Sequence, residues 1–306
     1  MKPIVINKHI QLAQSSDSPI VALETAVLTH GLPYPENIKL SLDVEDVVRD
    51  HQAVPATIGL IEGKAIVGLS KEQVEYLGNP STNTRKISKR DYSIAMSQKL
   101  NGGTTVCGTM IAAEQAGIKV FATGGIGGVH RNTTFDVSAD LPQLAQTPMI
   151  VVCAGAKSIL DLPNTLEYLE THGVPVIGYG TDEFPAFFSR TSGLGVDFGV
   201  QNASEVAEIA KAHWQIGSHS AILVVVPPPA KTALEGNEIE EIIQQALKEA
   251  KEKKISGSAT TPFLLSRVKE LTEGRSLVAN LDLLINNAGV AADIAIALSN
   301  SMQKVF

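Results

Sequence analysis

The chain has 306 residues, of which 44% are hydrophobic and 19% are charged, as expected for a protein with a buried core and a solvated surface. Its formal net charge of -7 argues against a general nucleic-acid binder, because phosphate backbones are held by clustered lysine and arginine. Cys107 and Cys153 lie in apolar stretches without CxxC spacing, which indicates buried thiols in a reducing compartment rather than a zinc site. Residues 1–14 lack a signal-peptide core, and no apolar run approaches the ~20 residues needed to cross a bilayer, so we expect a cytoplasmic protein without membrane contact.

In chain order, short apolar runs alternate with longer amphipathic segments, a pattern typical of strands buried between helices. Helices are predicted over residues 37–50 and 238–254, and over 205–214 with Ser204 as the N-cap. The pattern predicts a single α/β domain over residues 1–306, whose central, mostly parallel sheet is flanked by helices on both faces. The predicted strands are 20–27, 56–61, 64–68, 119–123, 149–154, 175–178 and 221–226.

A glycine-rich run, TGGIGGVHR, occupies residues 123–131 at the end of a predicted strand. Glycines let backbone N–H groups approach an anion, and His130 and Arg131 would add charge or hydrogen bonds there. The run departs from the dinucleotide fingerprint, because His130 stands where a GxGxxG frame from Gly125 needs its last glycine, and it lacks a P-loop lysine. NAD and ATP sites are therefore disfavoured, and a tight irregular turn is the alternative to an anion site.

Two charged residues stand where buried strands are predicted. Glu24 interrupts the run 20–27, where an ionised carboxylate is costly unless it is paired or neutralised. It would suit general acid catalysis if it kept its proton, or it would bridge to a basic neighbour. Lys157 follows the strand 149–154, where lost solvation makes its amine a usable nucleophile, although most lysines are simply surface groups.

Two carboxylates frame the segment FDVSADL at residues 135–141. Hard divalent cations such as Mg²⁺ and Mn²⁺ are often held by one or two protein carboxylates, waters and the substrate. Asp136 is therefore a candidate metal ligand. The alternative is an Asx turn in which Asp140 caps a helix.

A long series of segments, in order between residues 21 and 292, resembles the pseudouridine-5'-phosphate glycosidase family. The segments are ALE at 22–24, HGLPYP at 30–35, VPAT at 54–57, SKRD at 88–91, GIKVF at 117–121, HR at 130–131, FD at 135–136, SADL at 138–141, VVCAGAKS at 151–158, TPFLL at 261–265 and NNA at 286–288. So long an ordered series is highly specific. The resemblance implies an indigoidine synthase A-like α/β fold and a reversible, metal-dependent cleavage of pseudouridine 5'-phosphate to uracil and ribose 5-phosphate.

The resemblance also assigns roles by position. Glu24 matches the proton donor, Lys157 the covalent nucleophile and Asp136 the metal ligand. It implies one Mn²⁺ per subunit, no organic cofactor and a homotrimer. The implied substrate contacts are Lys86, Val106, Ser138, Ala139 and Asp140, with further contacts at Thr123, His130 and Asn287.

The chemistry of the implied substrate explains why an amine is needed. Pseudouridine joins ribose to uracil through carbon, so the two-carboxylate glycosidase scheme has no leaving heteroatom to protonate. Attack by Lys157 at C1' with opening of the ribose ring would give an imine-type electron sink, and Glu24 would supply a proton. Two alternatives stay open: a lyase acting on another pentose phosphate, and a non-catalytic sugar-phosphate-binding protein, against which the retained Glu24, Asp136 and Lys157 argue.

The sequence departs from the family pattern at a few positions around these residues. Ala26 replaces a common hydroxyl residue, and the loop 132–134 is short and lacks an acidic residue. Residues 258–259 replace a Lys-Glu type pair, and Gly199 and Gln201 replace charged residues. We expect these changes to affect affinity or substrate preference rather than the reaction itself.

Overall fold

The alternating apolar and amphipathic segments form strands and helices in the computed structural model, which describes residues 4–131, 136–253, 255 and 260–303. The strands are β1 (Ile4–Ile6), β2 (Ile20–Leu23), β3 (Val54–Ile61), β4 (Lys64–Val67), β5 (Thr84–Ile87), β6 (Asn101–Thr104), β7 (Val120–Ala122), β8 (Val129–His130), β9 (Ile150–Cys153), β10 (Leu160–Asp161), β11 (Val176–Tyr179), β12 (Phe198–Val200) and β13 (Ile222–Val225). The α-helices are α1 (Lys8–Ser15), α2 (Glu36–Asp50), α3 (Lys71–Gly78), α4 (Tyr92–Ser97), α5 (Val106–Gln115), α6 (Asp140–Leu144), α7 (Leu162–Thr171), α8 (Ala203–Gln215), α9 (Gly236–Glu252), α10 (Thr260–Leu271) and α11 (Arg275–Gln303). A π-helical turn spans Val27–Gly31, and a 3-10 turn spans Lys89–Asp91.

The main sheet has the strand order β1-β4-β3-β2-β7-β9-β13-β11-β12, with β5 and β6 attached beside β3. From β3 through β2 to β12 every neighbouring pair is parallel, whereas β3 pairs antiparallel with β4 and β6. Strands β9 and β13 are buried at every residue, as parallel strands covered on both faces must be. The predicted fold class, a mostly parallel sheet flanked by helices on both faces, is confirmed.

All seven predicted strands are present, generally shorter than predicted. The predicted strand 20–27 ends at Leu23, because the chain then turns into the π-helical segment Val27–Gly31. Strands β5 and β6 were not predicted, since TRKI and NGGT carry no apolar alternation. In β6, a Cβ on Gly102 or Gly103 would collide with neighbouring backbone or side-chain atoms. Glycine is needed there because neighbouring segments pack close to the β6 backbone, and not because it favours a strand.

Helix α11, the longest helix among the described residues, was not predicted from the sequence. By length and composition it could cross a membrane, with a mean hydropathy of 1.5 over its most apolar stretch, 56% of which is buried. Polar residues are spaced along this helix, so it contains no long unbroken apolar run and was not recognised in the sequence. A buried core helix passes the same test, and α11 packs against strands β2, β7 and β9 and against helices α2 and α8. These are the contacts of a helix in a protein core.

Both cysteines are buried free thiols, as predicted. Burial raises the pKa of Cys107 to about 11 and that of Cys153 to about 12. Thiols that keep their protons at neutral pH are poor nucleophiles and poor metal ligands. They serve the packing of the core.

The N-cap prediction for α8 was wrong by two residues. The helix begins at Ala203, and the side chain of Asn202 accepts a hydrogen bond from the backbone N–H of Glu205 at 3.1 Å. Ser204 lies within the first turn and is exposed. Both residues are good N-caps, so local sequence could not choose between them.

This assignment predicts different costs for two neighbouring substitutions. Asn202→Ala removes the acceptor for an otherwise unpaired helix N–H and should lower the free energy of unfolding by about 1 kcal/mol. Ser204→Ala should change it by less than about 0.5 kcal/mol, because that side chain is exposed. Urea denaturation measures both values, and an equal or larger loss for Ser204→Ala would contradict the assignment.

Candidate active site

Polar residues gather at the carboxyl ends of three neighbouring parallel strands. Glu24 follows β2, Thr123 follows β7, and Lys157 comes shortly after β9. Since β2, β7 and β9 are adjacent in the sheet, these ends lie side by side at one edge. Such an edge is where open α/β sheets generally bind their ligands.

A cavity of about 840 Å³ opens at this edge. Thr105 and Ala26 line it, as do the basic residues Arg85, Lys89 and Arg90, to which the sequence assigned no role in the site. The residues in its lining that the sequence predicted as site residues are Glu24, Lys86, Val106, His130, Asp136, Ser138, Ala139, Asp140 and Lys157.

Glu24 lies at the base of the cavity and is only partly accessible to solvent. The hydroxyl of Thr123 donates a hydrogen bond to its Oε1 atom. Burial raises the pKa of Glu24 above its ordinary value, even though the charge of Lys157 and the bond from Thr123 act in the opposite direction. The carboxyl therefore keeps its proton to higher pH than an exposed glutamate, as a proton donor requires.

Lys157 is held through its backbone. Its N–H donates to the carbonyl of Ile126 at 3.1 Å, and the N–H of Leu160 donates to the Lys157 carbonyl at 2.9 Å. Two residues earlier, Gly155 adopts φ of +86°, where a Cβ would also collide with the carbonyl of Pro185. The strand end can thus turn sharply and present Lys157 to the cavity.

A second lysine faces the same space. The side chain of Lys86 stays accessible, but the cavity walls withhold part of its hydration, and this desolvation, together with the charge of Lys157, lowers its pKa. The negative charges of Glu24 and Asp140 act in the opposite direction. Two neighbouring ammonium groups that repel each other favour an anionic ligand between or beside them.

Asp140 is a connector between two segments. Its Oδ1 accepts a hydrogen bond from the N–H of Cys107 in the first turn of α5 at 2.9 Å, and its Oδ2 accepts one from Gly127 at 2.8 Å. The N-cap of its own helix is Ala139, so the hypothesis that Asp140 caps that helix is wrong. The carboxylate instead compensates the N-terminus of a different helix, α5.

The glycine-rich run acts mainly as a tight structural turn. Backbone N–H groups at five of its positions, 123, 126, 127, 129 and 130, donate to protein oxygen atoms. At Gly127 a Cβ would collide with the side chains of Ser138 and Asp140. Glycine therefore serves close packing here, and the alternative of an irregular turn describes the run better than an anion cradle.

Asp136 fits a largely hydrated cation rather than a protein cage. Its carboxylate is 47% exposed at the cavity wall, and its Oδ2 lies 3.9 Å from Nδ1 of His130. Within the described residues no group of three His, Cys, Asp or Glu side chains could hold a metal. Mg²⁺ and Mn²⁺ tolerate such a site, since they keep several waters and take one or two carboxylates.

Two predicted contacts lie behind the cavity instead of in its lining. The hydroxyl of Thr123 is committed to Glu24, and Asn287, fully buried on α11, donates to the Thr123 carbonyl at 2.9 Å. Among the family departures, Gly199 lies on β12 at the edge of the sheet. The segments 132–134 and 258–259 fall outside the described residues.

The buried carboxyl of Glu24 predicts a pH-dependent gain in stability for Glu24→Gln. At pH values above 4.5, the ordinary pKa of a glutamate, the unfolded chain releases the Glu24 proton freely. The folded chain must either retain that proton or bury a negative charge. The free energy of unfolding of the wild type therefore falls relative to that of the variant as pH rises. The difference between the two should become smaller below about pH 4.5.

Urea denaturation of both proteins between pH 4 and pH 8 checks this expectation. Glu167→Gln, at an exposed position on α7, is the matched control and should show no comparable gain. A Glu24→Gln variant that is less stable than the wild type at pH 8 would contradict the assignment.

Comparison with known proteins supports these observations. The chain matches the family described as "Indigoidine synthase A like protein" over residues 9–297. It is 51% identical over 300 residues to "Pseudouridine-5'-phosphate glycosidase" of Clostridium botulinum, covering 97% of this chain and 98% of the relative. It is 52% identical over 298 residues to the protein of the same name from Geobacillus kaustophilus, covering 97% and 99%.

Two crystal structures are similar over almost the whole chain. The prealnumycin C-glycosynthase AlnA in complex with ribulose 5-phosphate has a TM-score of 0.92 and 37% identity, covering 99% of both chains. An indigoidine synthase A-like protein from Thermotoga maritima has a TM-score of 0.88 and 35% identity, covering 97% of this chain and 96% of that one. The chain is an enzyme of the indigoidine synthase A-like fold and belongs to the pseudouridine-5'-phosphate glycosidase family.

Proposed function

We propose that this protein reversibly cleaves the C-glycosidic bond of pseudouridine 5'-phosphate, giving uracil and ribose 5-phosphate. The observation that carries the proposal is the pairing, in one cavity, of a proton-retaining carboxyl at Glu24 with an amine at Lys157. The names of the relatives that are 51% and 52% identical support the same substrate.

Lys157 would act as the nucleophile. Once it has released its proton, the amine attacks C1'; the bond from C1' to the ring oxygen breaks, that oxygen takes up a proton, and the ribose ring opens. The nitrogen lone pair then forms an imine at C1' as the bond between C1' and the uracil carbon breaks, and the electron pair of that bond passes to uracil. Release of the sugar by water then regenerates the free amine.

Glu24 would protonate the departing uracil carbon. Burial raises its pKa, so it keeps its proton to higher pH than an exposed glutamate, and the hydrogen bond from Thr123 orients the carboxyl. Asn287 supports this arrangement from behind, because it donates to the Thr123 carbonyl. Thr123 and Asn287 thus position Glu24 and contribute to the reaction through it.

Lys86 would bind the phosphate. Lys86 supplies a positive charge, and Val106, in the first turn of α5, lies in the cavity wall as a further substrate contact. Ser138 and Ala139, on the opposite segment of the lining, would complete the substrate contacts.

Asp136 would hold Mn²⁺ together with waters and sugar oxygens. A bound divalent cation supplies Lewis-acid stabilisation of the polar groups around the reacting sugar. No organic cofactor is needed for the proposed reaction. A homotrimer stays a prediction from the family resemblance, and a cytoplasmic location stays a prediction from the sequence.

A second candidate is C-glycoside chemistry on another pentose phosphate. It is favoured by the similarity to a C-glycosynthase whose structure holds ribulose 5-phosphate. The same amine and carboxyl would serve it, and Ala26 in the cavity lining is a position where preference could differ.

The test is turnover of pseudouridine 5'-phosphate by the purified protein, with and without Mn²⁺. We expect metal-dependent uracil release that falls at least about 1,000-fold in Lys157→Ala, because the covalent path is lost. Lys71→Ala, at an exposed lysine on α3, is the control and should keep wild-type activity.

Borohydride trapping identifies the nucleophile independently. Reduction in the presence of ribose 5-phosphate should attach the sugar to Lys157, as read by peptide mass spectrometry. Labelling of a different lysine would contradict the proposed mechanism. Adducts with several pentose phosphates, but no uracil release, would favour the second candidate.

A further inference from the structure

We propose that Arg131, clamped by Glu240, is a positioning residue that fixes the turn carrying Lys157; this inference rests on the proposed role of Lys157 as nucleophile. Neither residue of the pair lines the active cavity. Arg131 would act through the backbone that presents the amine.

The guanidinium of Arg131 holds two carbonyls of this turn. Its Nε donates to the Leu160 carbonyl at 2.9 Å, and its Nη2 donates to the Ser158 carbonyl at 3.0 Å. The turn runs from Lys157 to Leu160 and is closed by the bond between the Leu160 N–H and the Lys157 carbonyl. One rigid planar group thus holds two points of a four-residue turn that begins with the proposed nucleophile.

Glu240 fixes the guanidinium from helix α9. Both carboxylate oxygens accept hydrogen bonds from Arg131, at 2.5 Å and 3.0 Å, in the two-point geometry that fixes the plane of the group. Gln244, one turn further along α9, donates to Glu240 at 2.7 Å. Burial works to raise the pKa of Glu240, but these hydrogen bonds outweigh it and hold the pKa below its ordinary value, so the carboxylate is charged at neutral pH.

The glycine-rich run holds the same turn from the other side. Ile126 accepts the hydrogen bond from the Lys157 N–H, and β8 pairs with β10 so that His130 lies opposite Leu160. The backbone is therefore fixed both at Lys157 and just after it. This anchoring of the backbone limits the positions that the flexible side chain of Lys157 can reach. A displacement of a reacting group by about 1 Å can lower the rate on the order of 100-fold.

Arg131 lies outside the active cavity. It lines a second cavity of about 760 Å³ together with Ser158, Glu240 and Gln244, and Leu160 contributes to the walls of both cavities. Because Arg131 is separated from the active cavity by the turn, its loss should slow the attack of Lys157 without weakening substrate binding.

The test compares Arg131→Lys with the same substitution in a second ion pair, formed by Glu249 of α9 and Arg267 of α10. Arg267 binds Glu249 through two hydrogen bonds of 2.7 Å and 3.0 Å, so Arg267→Lys disturbs a similar ion pair without touching the turn. We expect Arg131→Lys to lower kcat and the rate of borohydride-trapped adduct at Lys157 by about 10- to 100-fold, with KM within about threefold. Arg267→Lys should leave all three values unchanged.

Glu240→Gln provides a milder variant in case Arg131→Lys folds poorly. It retains Arg131 and weakens only the clamp, so it should lower kcat and the adduct rate by about 3- to 10-fold. An unchanged adduct rate in both variants, or a rise in KM at unchanged kcat, would overturn this inference. An equal loss of kcat in Arg267→Lys would also overturn it. Failure of the wild type to form any Lys157 adduct would instead overturn the proposed function, and this inference with it.

Discussion

The parallel pairing of β2, β7 and β9 is the constraint on which the candidate site depends. The register places Leu23 opposite Ala122, and Ala122 opposite Val152, so the three strands end almost level at one edge. Residues far apart in the chain, Glu24 and Lys157, are thereby brought to the same edge with only Thr123 and its strand between them. Because these strands are fully apolar, burial of the sheet holds the polar strand ends in place.

The described residues of the C-terminal third of the chain support the site without lining it. Helix α11 packs on β2, β7 and β9, and its Asn287 binds the carbonyl at the end of β7. Helix α9 supplies Glu240 to Arg131, behind the turn that carries Lys157. One helix thus supports Glu24, the proposed proton donor, and the other supports Lys157, the proposed nucleophile, so the two groups have separate supports. Catalytic groups held in this way by neighbouring hydrogen bonds stay within the narrow geometry that reaction requires.

Much of this arrangement could be predicted from the sequence, and the exceptions have physical reasons. Buried strands show as apolar runs, and an isolated charge in or after such a run, as at Glu24 and Lys157, shows because it breaks the pattern. Long-range partners have no such signal: Asn287 reaches Thr123 across 164 positions, and Glu240 reaches Arg131 across 109. Only the packing of α11 on the sheet, and the position of α9 beside Arg131, bring these residues together, so their supporting roles had to await the structure.

The glycine-rich run shows a different limit of prediction from the sequence. Glycine permits both an anion cradle and close packing, and the spacing of GGIGG is compatible with either. The choice depends on what approaches the backbone, which here is the side chain of Asp140 at Gly127 and that of Thr165 at Val129. In the proposed function, anion binding then falls to Lys86 elsewhere in the cavity.

Local charge, rather than net charge, determines which ligand suits this cavity. The molecule carries a formal net charge of -7, yet Lys86 and Lys157 place two positive charges in one cavity wall. Charges in solvent are screened over about 8 Å at physiological ionic strength, so a small anion inside the cavity responds to its lining, while a long polyanion outside meets the negative surface. Nearby, Arg85 is already paired with Asp91 at 2.8 Å, which reduces the positive charge that it offers. The electrostatics therefore favour a single phosphate group on a small molecule, in agreement with the sugar phosphate proposed as substrate.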